Sequence, residues 1–382
     1  MRSSEEEELS ALTGLRFGAA ALILIAHLRG QFEVPSDFLG GVPLENGVSF
    51  FFVLSGFILT HVYRRLASVE DRRRFYLARF ARIWPLHVAC IILVYVFLGS
   101  PTRVGTYDTL PIGLLNLALL QAWIPQYQTF FSYNAVSWSL SVEAFFYALF
   151  PVIIWRFRKH GGLWVLGSVL AICVLALIAR AADAGPFDTT RANFILPGFM
   201  YVNPAARLLE FVAGIGTAHI WIASRGWLNG SRARANVVQL LAVLAIFLAY
   251  YFAHFAARQF RLAGSIELAE WVRVGGATFL ASAFLIYAFA ANRGFLRAIF
   301  ASPILVYLGR ISFAIYLFHL IPINVRNLNP ERFAAYENLS GLVIVVAFVI
   351  VMSAALHHLV EEPCRCAIMG RRRRRATSIA PA

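Results

Sequence analysis

Ten stretches of about 18 to 22 mostly apolar residues divide this chain, and that is the length a helix needs to cross the hydrocarbon core of a bilayer. They lie near residues 11–30, 47–63, 80–99, 136–155, 163–182, 204–224, 236–256, 274–291, 303–323 and 340–360. In hydrocarbon the backbone N–H and C=O groups must pair within the segment, so runs of this kind fold as helices. Of the 382 residues, 59% are hydrophobic and 14% charged, against about half and a quarter in soluble domains. No polar stretch exceeds about 25 residues, well short of an independent folding unit. The expected fold is all-α, a polytopic membrane helix bundle of about ten transmembrane helices. A further apolar run at 111–123 is too short to cross and suits a re-entrant or interfacial piece.

The net charge of +14 is carried almost wholly by arginine, since Lys159 is the only lysine. On a soluble protein such a charge would suggest nucleic acid. Here the arginines crowd short loops, as the positive-inside rule requires, and no nucleic-acid partner is expected. Arg64, Arg65, Arg72, Arg73, Arg74, Arg79 and Arg82 form one group, Arg156, Arg158 and Lys159 a second. Arg225, Arg232 and Arg234 form a third, Arg293 and Arg297 a fourth, and Arg371–Arg375 the tail. If 111–123 does not cross, all five groups share one side, which then holds about 24 of the basic residues against about 10 on the other. This predicts ten spans with both termini cytoplasmic. Residues 1–10 form a cytoplasmic tail, 11–363 the membrane domain and 364–382 a basic cytoplasmic tail. The start MRSSEEEELS is acidic and polar, unlike a cleavable signal. The composition points to a multi-pass protein of a bacterial cytoplasmic (inner) membrane, in contact with its lipids. Oligomeric state leaves no mark in the sequence. Cys90, Cys173, Cys364 and Cys366 suggest neither a disulfide framework nor a metal site.

Polar groups inside apolar spans are costly, by a few kcal/mol or more for a charge. Arg16 and His27, eleven positions apart in the first span, share one helix face about 16 Å apart along the axis. Neutral imidazole is a natural general base, and Arg16 suits an anionic group whose far end reaches toward His27. The alternative is a snorkelling arginine and a structural histidine. Arg79 and Arg82, three apart, sit on one face where the third span begins. Guanidinium groups bind phosphates bidentately, so this pair suits a phosphate-rich cytosolic donor, unless it is a simple membrane anchor.

Glu143 lies about five residues into its span, near the non-cytoplasmic side of the expected topology. It suits substrate hydroxyl binding or orientation of the histidine, or else a structural ion pair. Ser312, Tyr316 and His319 recur on one stripe. Ser49, Ser55 and Gly56 let helices approach closely or bond through hydroxyls, and read mainly as helix packing. His357 and His358 are adjacent and point about 100° apart on a regular helix, poor geometry for a shared metal. With Glu361 and Glu362 they are expected to be structural or capping.

In this order the pieces resemble the acyltransferase family 3 of integral membrane proteins, over about residues 10 to 365. The family's Arg-x10-His motif is similar to Arg16…His27, its R-x-x-R pair to Arg79 and Arg82, and its W-S-L-S-x-E segment to Trp138–Glu143. Its S-x-x-x-Y-L-x-H segment is similar to Ser312–His319, and its terminal E-x-P to Glu361–Pro363. Ser49 departs from it, because many relatives carry an acidic residue there. The extra esterase-like domain of some relatives is not expected.

The resemblance implies transfer of an acyl group, commonly acetyl from acetyl-CoA, to a hydroxyl of an exported or membrane-linked glycan or a small molecule. It implies His27, Glu143 and His319 as catalytic, with His27 the base and the other two lining the acceptor side. It implies Arg16, Arg79 and Arg82 as the acyl-CoA phosphate site, and Trp138, Ser141 and Tyr316 as substrate-binding. No metal is required. No G-x-S-x-G elbow is present, so a serine acyl-enzyme is not indicated; direct transfer in a ternary complex is preferred, with a covalent relay through a histidine or tyrosine as the alternative. The rival is a glycan or lipid transporter or flippase. The inverted repeats and paired broken helices common in transporters are not evident.

Overall fold

The computed structural model describes residues 9–32, 34–35, 42–105, 107–185 and 194–370. The acidic start and the Arg371–Arg375 run lie outside the described residues. Within them the regular structure is helical, apart from the isolated bridges Gln126–Phe194 and Gly185–Ile195. The long helices are α1 (Ser10–Leu28), α2 (Gly47–Val62), α3 (Val69–Leu98), α5 (Trp138–Ala181), α6 (Leu208–Asn229) and α7 (Arg232–Leu262). They continue with α8 (Phe279–Phe289), α9 (Pro303–Phe318), α10 (Leu320–Leu328) and α11 (Leu339–Leu356), while α4 (Leu110–Leu117) is short.

Eight helical segments among the described residues are long and apolar enough to cross a membrane. One of them, Ala135–Ala181, covers the stretch 136–155 and all but the last residue of 163–182. Its backbone leaves helical values at Arg156 (φ −131°) and His160 (φ −123°), so two spans run into one assignment. Helix α6 falls on the stretch at 204–224, outside the eight. The eight residues of α4 reach only about 12 Å, and the apolar run at 111–123 accordingly makes no crossing helix.

Helix α3 starts eleven residues before its apolar stretch. Ser68 and Asp71 form a reciprocal capping box, with Asp71 N–H donating to Ser68 Oγ at 2.9 Å and Ser68 N–H to Asp71 Oδ2 at 3.1 Å. Arg74 Nε donates to Glu70 Oε1 at 2.9 Å one turn apart, supporting this exposed extension.

Helices α2 and α6 touch through glycines. Gly56 lies against the backbone of Phe211, and Gly214 against the backbone of Val53. Any β-carbon at either position would overlap a carbonyl oxygen, so the two axes come as close as small residues permit. Helix α1 packs along α9. An aromatic seam of Phe52, Phe146 and Phe211 joins α2, α5 and α6, with ring centroids 5.3 Å and 4.6 Å apart.

The segment before α5 folds inward. Gln121, Asn134 and Ser137 are buried. Gln121 Nε2 donates to Ser137 O at 3.1 Å, and Asn134 Nδ2 donates to Leu317 O at 2.8 Å. Helix α5 therefore begins inside the bundle rather than at its rim.

Candidate active site

Five helices enclose a cavity of about 260 Å³. Arg16 comes from α1, Phe51 and Ser55 from α2, and Arg79 and Arg82 from α3. Helix α5 supplies Ser139, Glu143 and Tyr147, and α9 supplies Phe313 and Tyr316. The three arginines that the sequence singles out thus share one wall system, although 66 positions separate Arg16 from Arg82 in the chain.

Each guanidinium is held differently. Arg82 pairs with the buried Glu361 and lies over the Phe313 ring, 4.8 Å from its centroid. Arg79 sits between the Tyr63 and Tyr147 rings, 5.8 Å from each, and its buried Nε has no hydrogen-bond partner. Arg16 makes no hydrogen bond or ion pair among the described residues. Glu143 accepts a 3.0 Å hydrogen bond from Tyr147 and forms no ion pair within them. Three cations therefore face one cavity carboxylate, with Glu361 already engaged. Unpaired buried guanidinium groups are costly, and an anionic ligand would relieve that cost.

Glu143, the sixth residue of α5, lies in the arginine cavity, whose lining does not include the two histidines. Trp138 is buried against Phe52 and Tyr201, with centroids 6.1 Å and 4.7 Å away. Ser141 is buried with an unpartnered Oγ. Neither lines the cavity, whereas Tyr316 does.

His27 and His319 meet outside this lining. The parallel course of α1 and α9 sets His319 Nε2 3.3 Å from His27 Nδ1. His319 Nδ1 is 2.8 Å from Tyr316 O and 3.2 Å from Ile315 O. Carbonyl oxygens only accept, so His319 carries its proton on Nδ1 and presents Nε2 as an acceptor. His27 Nδ1 is 2.9 Å from Ile23 O and donates, shared between that carbonyl and His319 Nε2. The lone pair of His27 is thereby left on Nε2. These tautomers are assigned from hydrogen-bond partners.

Phe51 and Tyr316 stand between the cavity and the histidine pair. Their rings are 6.2 Å apart, and Tyr316 is 6.1 Å from His319. Tyr316 Oη donates to Val136 O at 3.0 Å, which fixes its ring.

A second polar cluster escaped the sequence reading. Arg207 and Glu210 are fully buried and 3.1 Å apart. Arg207 also donates to Ser49 Oγ and Val274 O, each at 3.0 Å. Of the two readings open for Ser49, its hydroxyl is engaged in a hydrogen bond. The i,i+3 Arg–Glu spacing in the stretch at 204–224 was the available signal.

A family model described as an acyltransferase domain matches residues 9–358. The chain is similar to Acyltransferase MdmB of Streptomyces mycarofaciens, 31% identical over 98% of this chain and 96% of the relative. It is 27% identical to O-acetyltransferase OatA of Staphylococcus aureus over 81% of this chain and 50% of that protein. It is 22% identical to the putative peptidoglycan O-acetyltransferase YrhL of Bacillus subtilis over 95% of this chain and 56% of that protein. The chain therefore spans the first relative almost fully and about half of the other two. No solved structure matches.

Proposed function

The chain belongs to the acyltransferase family whose domain matches residues 9–358, and from that premise we propose how this multi-pass membrane O-acyltransferase works. The donor is an acyl-CoA, most simply acetyl-CoA, entering from the cytosol. The acceptor is a hydroxyl of a cell-surface or exported glycan, a lipid-linked sugar or a small molecule. The protein sits in the bacterial cytoplasmic membrane with both termini in the cytosol, so that the Arg16 end of α1 faces the donor.

One observation carries this reading. Arg16, Arg79 and Arg82 line one cavity, and two of them lack a carboxylate partner. Phosphates of coenzyme A would supply the missing charge. His27 stands about 16 Å further along α1, so the pantetheine arm would run along the helix face from the cations toward the imidazole. The thioester would pass Phe51 and Tyr316 to reach it.

His27 Nε2 would accept the proton of the acceptor hydroxyl as its oxygen attacks the thioester carbon. The C–O bond forms, the tetrahedral oxyanion collapses, the C–S bond breaks, and the imidazolium returns the proton to the departing thiolate. His319 acts through His27, because its Nε2 accepts from His27 Nδ1–H and so supports the positive charge developing on the ring. Glu143 balances the three cations of the donor cavity and is not assigned contact with the acceptor.

The test is incubation of detergent-purified protein with radiolabelled acetyl-CoA and either envelope glycan or a hydroxylated small-molecule panel. Label in an acceptor, lost in His27→Ala protein of normal elution volume, is the expected result. Wild-type transfer by that variant would remove the base assignment. Absence of label with vectorial glycan or lipid movement would favour a carrier.

A further inference from the structure

The last long helix does not end as a regular α-helix. After α11 the chain passes through a π-turn, His357–Glu361, into the short helix Glu362–Ile368. Such turns are rare and occur frequently at functional sites. The wider turn alters the expectation of divergent histidines. The His357 and His358 rings are 5.0 Å apart, and both present a nitrogen to one carboxylate. His357 Nε2 is 3.8 Å from Glu362 Oε1, and His358 Nδ1 is 3.5 Å from Glu362 Oε2. One ligand atom from each of the three residues lies within 4.8 Å of the others.

The remaining ring nitrogens are already oriented. His357 Nδ1 is 2.9 Å from Glu361 Oε2, and His358 Nε2 is 3.4 Å from Tyr307 Oη. A ligating histidine whose other nitrogen donates to a carboxylate is the usual arrangement around bound zinc. We propose that His357, His358 and Glu362 form a site for a borderline divalent transition metal such as Zn²⁺.

Tetrahedral ligands at about 2.0–2.1 Å from zinc lie a little over 3 Å from one another, so the three groups need to close by about 1 Å. The Glu362 and His358 side chains are 39% and 48% exposed, so solvent space surrounds them for that adjustment. His357 is buried and supplies the fixed corner. Two imidazoles and one carboxylate suit zinc, cobalt or nickel and not the all-oxygen preference of calcium or magnesium. Glu361 holds His357 with one oxygen and Arg82 with the other. A metal at this corner therefore braces the wall of the arginine cavity from outside.

The test uses the full-length purified protein without a polyhistidine tag, stripped with a chelator and titrated with Zn²⁺, then with Co²⁺ as a spectroscopic probe. The expected result is one equivalent of Zn²⁺ retained through gel filtration and visible d–d bands of tetrahedral or five-coordinate Co²⁺. Both should be lost in H358A and E362Q, at half-exposed positions where normal elution verifies the fold. Both should persist in the Cys364→Ser/Cys366→Ser variant, since those nearby thiols are alternative ligands. Failure of the wild-type protein to retain metal would overturn the site. So would retention by the doubly substituted H358A/E362Q protein, or loss in the cysteine variant alone. None of these readouts depends on acyl transfer.

Discussion

His319 Nε2 lies 3.3 Å from His27 Nδ1, although 292 positions separate the two residues. With the Ile23 carbonyl, the contact places the His27 proton on Nδ1, and the proposed base is then the other ring nitrogen, Nε2. His27→Ala is expected to lower transfer by about 10²–10⁴-fold. His319→Ala should lower kcat by less and leave the KM for acyl-CoA unchanged. His319→Asn, which keeps an acceptor oxygen, should recover part of that loss. A steady-state comparison of the variants reads the split between kcat and KM.

Arg16 and Arg79 are cations without an acidic partner in the cavity. If they hold phosphates, truncating either to alanine removes a charge-assisted hydrogen bond worth about 1.5–3 kcal/mol. Each variant should then bind coenzyme A about 10–100-fold more weakly, as read by calorimetry on the purified protein. Unchanged affinity in both would move the donor site elsewhere.

Arg207 and Glu210 form a fully buried pair. Removing one partner leaves the other charge stranded, so Arg207→Ala should destabilise the fold by about 3–5 kcal/mol. The double change Arg207→Met/Glu210→Leu should cost less than either single truncation. Thermal unfolding in detergent, followed by size exclusion, compares them.

Gly56 and Gly214 meet the opposite backbone across the α2–α6 contact. Gly56→Ala should cost about 1–3 kcal/mol through forced separation of the helices. Gly214→Ala should cost a similar amount, and the pair together less than the sum, because one displacement accommodates both methyl groups. Melting temperatures of the three variants test that non-additivity.

The helices were legible because span length and apolar runs are local properties. Arg16, Arg79 and Arg82 were legible because a charge beside or within an apolar span stands out against its neighbours. What was hidden depends on long-range pairing. The partnership of Arg82 with Glu361 joins α3 to the turn after α11, and no periodicity links those segments. The cavity that Glu143 lines was not legible because position along a helix reports depth only if the helix starts at the rim. The inward fold of residues 121–137 breaks that assumption. Packing and hydrogen bonding could not be told apart for Ser49 because its partner, Arg207, comes 158 positions later.

Phe51 and Tyr316 both line the arginine cavity, and the Tyr316 ring also lies 6.1 Å from His319. A water-filled bore running the full depth of the bilayer would let protons leak down their gradient. Here two aromatic rings, one pinned through its hydroxyl to Val136 O, stand 6.2 Å apart at the cavity wall. A donor arm threaded past these rings in the proposed reaction would take the place of water rather than admit a continuous column of it.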